Sequence, residues 1–215
     1  SDDSKVSSYQ ASMYGTYSND PWYVNGLAAY GYNRYSATRN IVFGNIARAA
    51  NADFNGNSLS GYVEAGYQIR TGIVNIIPMA SVQASSLWRN AFTETDAGSL
   101  NLNVDSDRAS SLIGSLGVRL KKEFKTQSGS FTPEFRVRWL HEFVSSDYAL
   151  NASFAGNPLS TFSVRGDSAR RDSAAIGAGL NWEINKSFGL AFTYDATLSG
   201  DRTEHGGTAG IMYRW

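Results

Sequence analysis

The chain is dominated by one pattern: nine stretches, each of ten or so residues, in which apolar and polar side chains alternate with a period of two. The terminal stretch shows it plainly. Trp215, Tyr213, Ile211 and Ala209 make an apolar face, and Arg214, Met212, Gly210 and Thr208 make a polar or small one. Strict alternation of this kind is a β-strand lying between two different environments. The sequence ends on an aromatic. In water, a strand of this character would invite edge-to-edge aggregation. A strand with lipid on one side and its aromatic end at the membrane surface is built this way for a reason.

Taken in order, Tyr9, Ala11, Met13, Gly15 and Tyr17 form the apolar face of a first strand, and Ser18-Asn19-Asp20-Pro21 signals a tight turn. A second strand runs from about Trp22 to Tyr35 with less distinct faces. Residues 36–56, polar and rich in Asn, read as a long loop. Leu59, Gly61, Val63, Ala65, Tyr67 and Ile69 then alternate with polar neighbours up to a turn at Thr71-Gly72, and Ile76, Pro78, Ala80, Val82 and Ala84 follow. Pro78 sits near its strand's start, where a missing amide costs little. Asn90 to Asp107 reads as a second long loop. The next apolar faces are Leu112 to Leu120 and, after a turn at Thr126-Gln127-Ser128-Gly129, Phe131 to Phe143. In residues 147–171, Ala152 with Phe154 and Phe162 with Val164 suggest the arms of a protruding hairpin about Gly156-Asn157-Pro158. Ala174 to Ile184, Phe188 to Leu198 and the terminal strand complete the series, with Gly200 to Gly206 read as a loop.

These strands exceed the ~5–6 residues typical of soluble sheets and match the ~9–11 that a tilted strand needs to cross a bilayer. Short connections after residues 18, 70, 125 and 185 alternate with long ones after 35, 88, 146 and 199. Short turns on one side and long loops on the other are the outer-membrane barrel pattern. The expected fold is therefore all-β: an antiparallel transmembrane β-barrel wall of about nine strands. A soluble β-sandwich would instead bring Leu116, Val137, Leu180 and Ile211 into one closed interior. If the short turns are periplasmic, the C-terminus is periplasmic too, and Tyr17, Trp22, Trp182, Tyr213 and Trp215 form an aromatic girdle at that rim. The mean hydropathy of −0.31 fits, because polar inner residues offset apolar outer ones. No run approaches ~18 apolar residues, the length of a membrane helix. Net charge is zero, so nothing points to nucleic acid, and with no Cys there is neither a disulfide scaffold nor a thiolate metal site. First and last strands run in the same direction, whereas a closed antiparallel barrel has an even strand count. Either one more strand lies unread within residues 1–215, or the start of the barrel lies outside them.

The pattern resembles the C-terminal translocator domain of autotransporters, the monomeric type V secretion proteins. The matching stretches are Gly66-Tyr67-Gln68 to Gly72 with Ile77-Pro78-Met79-Ala80; Ser111-Leu112 to Gly117-Val118-Arg119-Leu120; Thr132-Pro133-Glu134 to Trp139-Leu140-His141-Glu142-Phe143; Ser153-Phe154-Ala155-Gly156; Phe162-Ser163-Val164-Arg165-Gly166; Tyr194-Asp195; and Tyr213-Arg214-Trp215. The resemblance implies a twelve-stranded barrel with a helix through its lumen, of which residues 1–215 supply the last nine strands and lack the helix and about three N-terminal strands. It also implies an anchor that brings an N-terminal passenger to the cell surface. The terminal strand, through Ala209, Ile211, Tyr213 and Trp215, would be the signal read by the barrel assembly machinery, and lipid would be the other partner.

Alternation places Glu64, Arg70, Arg119, Lys121, Glu134, Arg136, Arg138, Glu142, Glu183, Asp195 and Arg214 on the lumen face. Such a face is first a set of mutually neutralising ion pairs; as a hydrated charged wall it also suits a passing polypeptide or a plugging helix. His141 shares parity with Trp139 and Phe143 and is expected outside, near a loop; His205 is expected in a loop. Neither has the base–nucleophile setting of a triad, no spacing suggests a metal, and no cofactor is expected. The alternative is an outer-membrane enzyme of the omptin kind, or an adhesin, acting through its loops, with Asp105, Asp107, Asp167 and Asp172 as its loop acids. Cleavage of the passenger inside the barrel would need a segment outside these residues.

Overall fold

A computed structural model of the protein describes residues 2–144, 149–166, 170–200 and 202–215; Asp167 lies outside them. Nine long strands carry the fold: β1 (Asp3–Asn19), β2 (Trp22–Phe43), β3 (Ile46–Tyr67), β4 (Asn75–Arg89), β5 (Asp107–Lys121), β6 (Ser130–Glu142), β7 (Asp172–Glu183), β8 (Phe188–Ser199) and β9 (Arg202–Tyr213). Each pairs antiparallel with the next, so the sheet is a meander in chain order. Ile69–Arg70 and Phe124–Lys125 continue it as two-residue additions to β4 and β6. The sheet curls as a half-barrel. Among the described residues β1 and β9 pair on one side only, and an odd number of antiparallel strands leaves these two edges parallel to each other.

Register keeps the faces separate. Leu116 stands opposite Ala80 and Trp139, Val137 opposite Val118 and Ile176, Leu180 opposite Pro133 and Phe192, and Ile211 opposite Leu190. A one-residue slip in any pair would send a whole row to the other face. The apolar row is outside: Leu116 is 58% exposed, Val137 44% and Ile211 73%. The few buried apolar side chains are Tyr23, Ile77 and Met79 on the inner face and Ala50, Ala52, Ala97, Val104 and Ala152 at the long-loop end. No second layer covers the greasy surface among the described residues, which rules out the sandwich and leaves hydrocarbon as its solvent.

Two stretches differ from their sequence reading. Residues 36–56 are not a loop: they are the upper halves of β2 and β3, paired residue by residue from Ser36↔Asp53 to Phe43↔Ile46. Gly44, at φ 54°, turns the chain between them. Above the bilayer both faces of a ribbon meet water, so an outer apolar row is not required there. At a tilt of about 45°, strands of this length rise about 50 Å, against about 30 Å of hydrocarbon. Residues 200–206 are also mostly strand; β9 begins at Arg202, with Gly200 (φ 59°) in a tight turn.

The loop between β4 and β5 folds back onto the β2–β3 hairpin. Asn51 and Thr95 exchange main-chain hydrogen bonds of 3.0 and 2.8 Å, and Phe54 stacks between Tyr35 and Phe92. Arg39 grips Glu94, with Nε 3.0 Å from Oε1 and Nη2 2.5 Å from Oε2. A second, four-stranded sheet sits at this end in the order Asn157–Arg165, Ala149–Phe154, Leu102–Val104, Phe92–Thr93. Its first two strands are the protruding hairpin, with Ala152 opposite Phe162.

Candidate functional site: the charged inner face

Glu64, on the inner face of β3, is 2% exposed and accepts four hydrogen bonds. Tyr23 Oη (2.9 Å) and Arg119 Nη2 (3.3 Å) donate to Oε1. Tyr62 Oη and Arg138 Nη2, each at 2.7 Å, donate to Oε2. A desolvated carboxylate needs its lone pairs filled and its charge paired, and these four donors do both.

Small residues make the reach possible. Arg138 extends from β6 to β3 across Gly117 on β5, where an added Cβ would come within 2.7 Å of Arg138 Cγ. Ser81 and Ser115, bonded to each other at 2.6 Å, floor the space beside Glu64. The ring of Tyr23 lies over Gly66, whose Cβ would fall 2.3 Å from it. The other side of β6 repeats the device. Arg136 spans Gly177 on β7 to grip Asp195 on β8 with both arms, at 3.0 and 2.9 Å, and also donates to Glu134, which lies over Gly179. The charged side chains therefore lie along the wall instead of projecting from it.

The other residues placed on this face by alternation are distributed along the wall. Lys121 stands opposite Glu134 in register. Glu142, at the long-loop end, accepts from Ser111 Oγ and from the main-chain amides of Leu112 (2.7 Å) and Val144 (3.1 Å). Arg214 donates to Glu183 at 3.3 Å at the short-turn end. Arg70, in the two-residue strand added to β4 at the short-turn end, clamps Asp20 of the β1–β2 turn with two bonds of 2.7 and 2.8 Å. That guanidinium holds the Asp20 carboxyl below the usual carboxylate range. Leaving Arg70 aside, the residues that alternation places here are five acids (Glu64, Glu134, Glu142, Glu183, Asp195) and five bases (Arg119, Lys121, Arg136, Arg138, Arg214); Arg202 with Glu204 and Arg89 with Asp107 add further ion pairs at the same parity.

Sequence reasoning missed Tyr23 and Tyr62 as donors to Glu64. Parity alone puts Tyr62 beside Glu64, two residues away on one face; the blurred faces of β2 hid Tyr23. In the sequence Asp20 shows only the character of a turn residue.

On the outer face, Tyr17, Trp22, Trp182, Tyr213 and Trp215 are all exposed at the short-turn end, and Trp22 meets Tyr67 edge to face at 4.8 Å. Ala209, Ile211 and Tyr213 share the outer row of β9, a strand exposed along its whole length, and Trp215 follows it. The histidines are separate from the inner cluster. His141 Nδ1 lies 2.9 Å from Asp172, which also accepts from Trp139 Nε1 at 3.0 Å. His205, in β9 rather than in a loop, is bonded to Tyr194 at 2.7 Å. Of the loop acids within the described residues, Asp107 pairs with Arg89 at 2.8 Å, Asp105 donates its main-chain amide to Asn151, and Asp172 lies against His141 and Trp139.

An apolar outside and an ion-paired inside are the two faces of a transmembrane β-barrel wall. The profile of the family "Autotransporter beta-domain" matches residues 1–195, and the chain belongs to that family of outer-membrane translocator domains. An extracellular serine protease of Serratia marcescens is 25% identical over 186 residues, 86% of this chain but 18% of that protein. The chain thus spans about a fifth of the length of the first relatives it matches. Among solved structures, the translocator domain of autotransporter NalP from Neisseria meningitidis superposes with a TM-score of 0.66 at 18% identity, covering 99% of this chain and 68% of that one. The beta domain of the Bordetella autotransporter BrkA gives 0.62 at 20%, covering 98% and 74%. At these identities the likeness is one of fold.

Proposed function

We propose that this domain forms the outer-membrane end of a longer autotransporter, anchoring it and providing the passage by which an N-terminal passenger reaches the cell surface. The observation that carries the reading is the inner face. Its acids and bases pair, and the long side chains of its central clusters lie flat over Gly and Ser. A polypeptide would meet a hydrated wall with few protrusions and no excess charge to trap it. Three further strands between the edges of β1 and β9 would complete the family's barrel, and a helical segment in the lumen would face the Glu64 and Arg136 clusters. The short turns and the C-terminus face the periplasm; the β2–β3 hairpin and the small sheet face outward. The outer row of β9, Ala209, Ile211 and Tyr213 with Trp215 beyond it, is an apolar edge that can add to another sheet edge and is the docking signal for the assembly machinery. Lipid contacts the rest of the outer face.

The test is surface display. In cells making the full-length protein, an epitope in the passenger should reach the surface, and it should still do so after residues 90–104 or 149–165 are shortened to a turn. Loss of display together with an intact, heat-modifiable barrel would instead favour function residing in the loops, the omptin-like or adhesin reading.

A further inference from the structure

The outer face has a second boundary besides the short-turn rim. Register sets one residue from each of β1 to β5 in a single row there: Tyr9 stands opposite Tyr32, Tyr32 opposite Asn57, Asn57 opposite Trp88 and Trp88 opposite Arg108. Tyr32 comes ten residues after Trp22 on β2, a rise of about 23 Å for a strand tilted by about 45°. That is close to the height of the apolar band of such a barrel, so the row lies where hydrocarbon gives way to headgroups. Below it on the same face are Val63 and Val82, opposite each other and exposed. Just above it are Arg34 and Asn55.

Two arginines mark this boundary, and each lies against an aromatic ring. The Arg34 guanidinium is 5.6 Å from the centre of the Tyr32 ring, and that of Arg108 is 5.0 Å from the centre of Trp88. Arg108 also donates to Ser86 and Ser110, each at 3.2 Å. On the inner face Arg119, Arg136, Arg138 and Arg214 all meet carboxylates. Arg34 and Arg108 are exposed, and among the described residues neither forms an ion pair. The acids of the same rows, Asp53 and Asp3, stand farther out, opposite Ser36 and Thr38, and Lys5, also opposite Ser36, is a third cation. The Tyr32 and Trp88 rings flank Asn57, two strand spacings or about 10 Å apart. Tyr30 Oη donates to the Asn57 carbonyl oxygen at 2.7 Å, which leaves the amide NH2 of Asn57 as a further donor between the two arginines.

We infer that this part of the wall holds the phosphorylated headgroup of a lipid from the outward-facing leaflet, seated over Asn57 between Arg34 and Arg108. The inference rests on the reading that the outer face meets lipid, and assigns one place on it to one headgroup chemistry. A guanidinium lying on a ring is positioned without being neutralised, and its N–H groups stay available to phosphate oxygens. The apolar row directly below, with Val63 and Val82, continues the site as a surface for acyl chains. That continuity selects a lipid over free phosphate.

The experiment titrates the full-length protein, purified in a zwitterionic detergent, with diphosphoryl lipid A, with the same lipid dephosphorylated, and with inorganic phosphate, and counts bound lipid by native mass spectrometry. The diphosphorylated lipid is expected to bind about tenfold or more tightly than the dephosphorylated one, and inorganic phosphate at the same concentration is expected not to displace it. Arg34→Gln with Arg108→Gln is expected to remove that preference, about tenfold or more in affinity, with an unchanged heat-modifiable barrel. Equal binding of the two lipids, binding of neither, displacement by inorganic phosphate, or full affinity in the double variant overturns the inference. The comparison of lipids on the unaltered chain decides the matter even if the double variant does not assemble. A fluorophore on Val82→Cys should be quenched by a doxyl-labelled phospholipid in liposomes whether or not the arginines are present. With that quenching intact, the failures above remove this inference alone; without it, the lipid-facing reading of the outer row falls as well.

Discussion

Arg119 and Arg136 stand opposite each other in the β5–β6 register and point their charges in opposite directions. Arg119 reaches back to Glu64 on β3, and Arg136 reaches forward to Asp195 on β8. Like charges directly opposite are unfavourable on a sheet. The two carboxylates pull the pair apart, and the wall's inner charges are divided into two clusters.

Glu64→Ala should therefore cost more than an ordinary surface change. It would leave Arg119, Arg138 and the hydroxyls of Tyr23 and Tyr62 without their common acceptor. Removing one partner of a buried pair costs about 3–5 kcal/mol, so a fall in the thermal midpoint of the detergent-solubilised barrel is expected. A loss below about 1 kcal/mol, the scale of an exposed pair, would contradict the geometry.

Gly177→Ala should weaken the wall by wedging a methyl group between Arg136 and Asp195, where the added Cβ would sit 2.2 Å from Asp195 Oδ1 and 2.6 Å from Arg136 Nε. A cost of about 1–3 kcal/mol is expected from the forced displacement. Gly61→Ala, whose Cβ meets nothing within 4 Å, is the control and should unfold at the parent denaturant midpoint.

Lipid contact can be read from depth. Val137→Arg, near the middle of β6, should destabilise the barrel in bilayers by about 2–4 kcal/mol, and Ile211→Arg, close to the rim, by about 0–1 kcal/mol. Equal penalties, measured by reversible unfolding in liposomes, would show that the outer row does not cross hydrocarbon as described.

The Asp20–Arg70 clamp gives a pH dependence. Arg70 lowers the pKa of Asp20, so its contribution is present above the unfolded value of about 3.9 and lost as pH falls through the lower folded value. Amide exchange in the turns around Asp20 and Arg70 should accelerate below about pH 4, and in Asp20→Asn that acceleration should be absent.

Most of the wall is legible because one face must be apolar: where lipid demands alternation the apolar rows fall on the expected side, except in β2, whose faces are indistinct in the sequence. The signal fails where lipid stops. Above the membrane, Arg39, Ala50 and Ala52 belong to a ribbon covered by a neighbouring loop, and their polar surroundings look like loop in one dimension. The ion pairs follow the same divide. Parity places Glu64, Arg119 and Arg138 on one face, but that Arg138 passes over Gly117 to reach two strands beyond is a matter of register, and register is not written in a single strand.

The length of β2 and β3 has a geometric corollary. Their shared tip, with Val42 and Phe43 exposed, is raised on a ribbon stiffened from the side by Glu94 and Phe92. An object approaching the membrane from that side meets two apolar side chains at a set standoff, well before it reaches the bore.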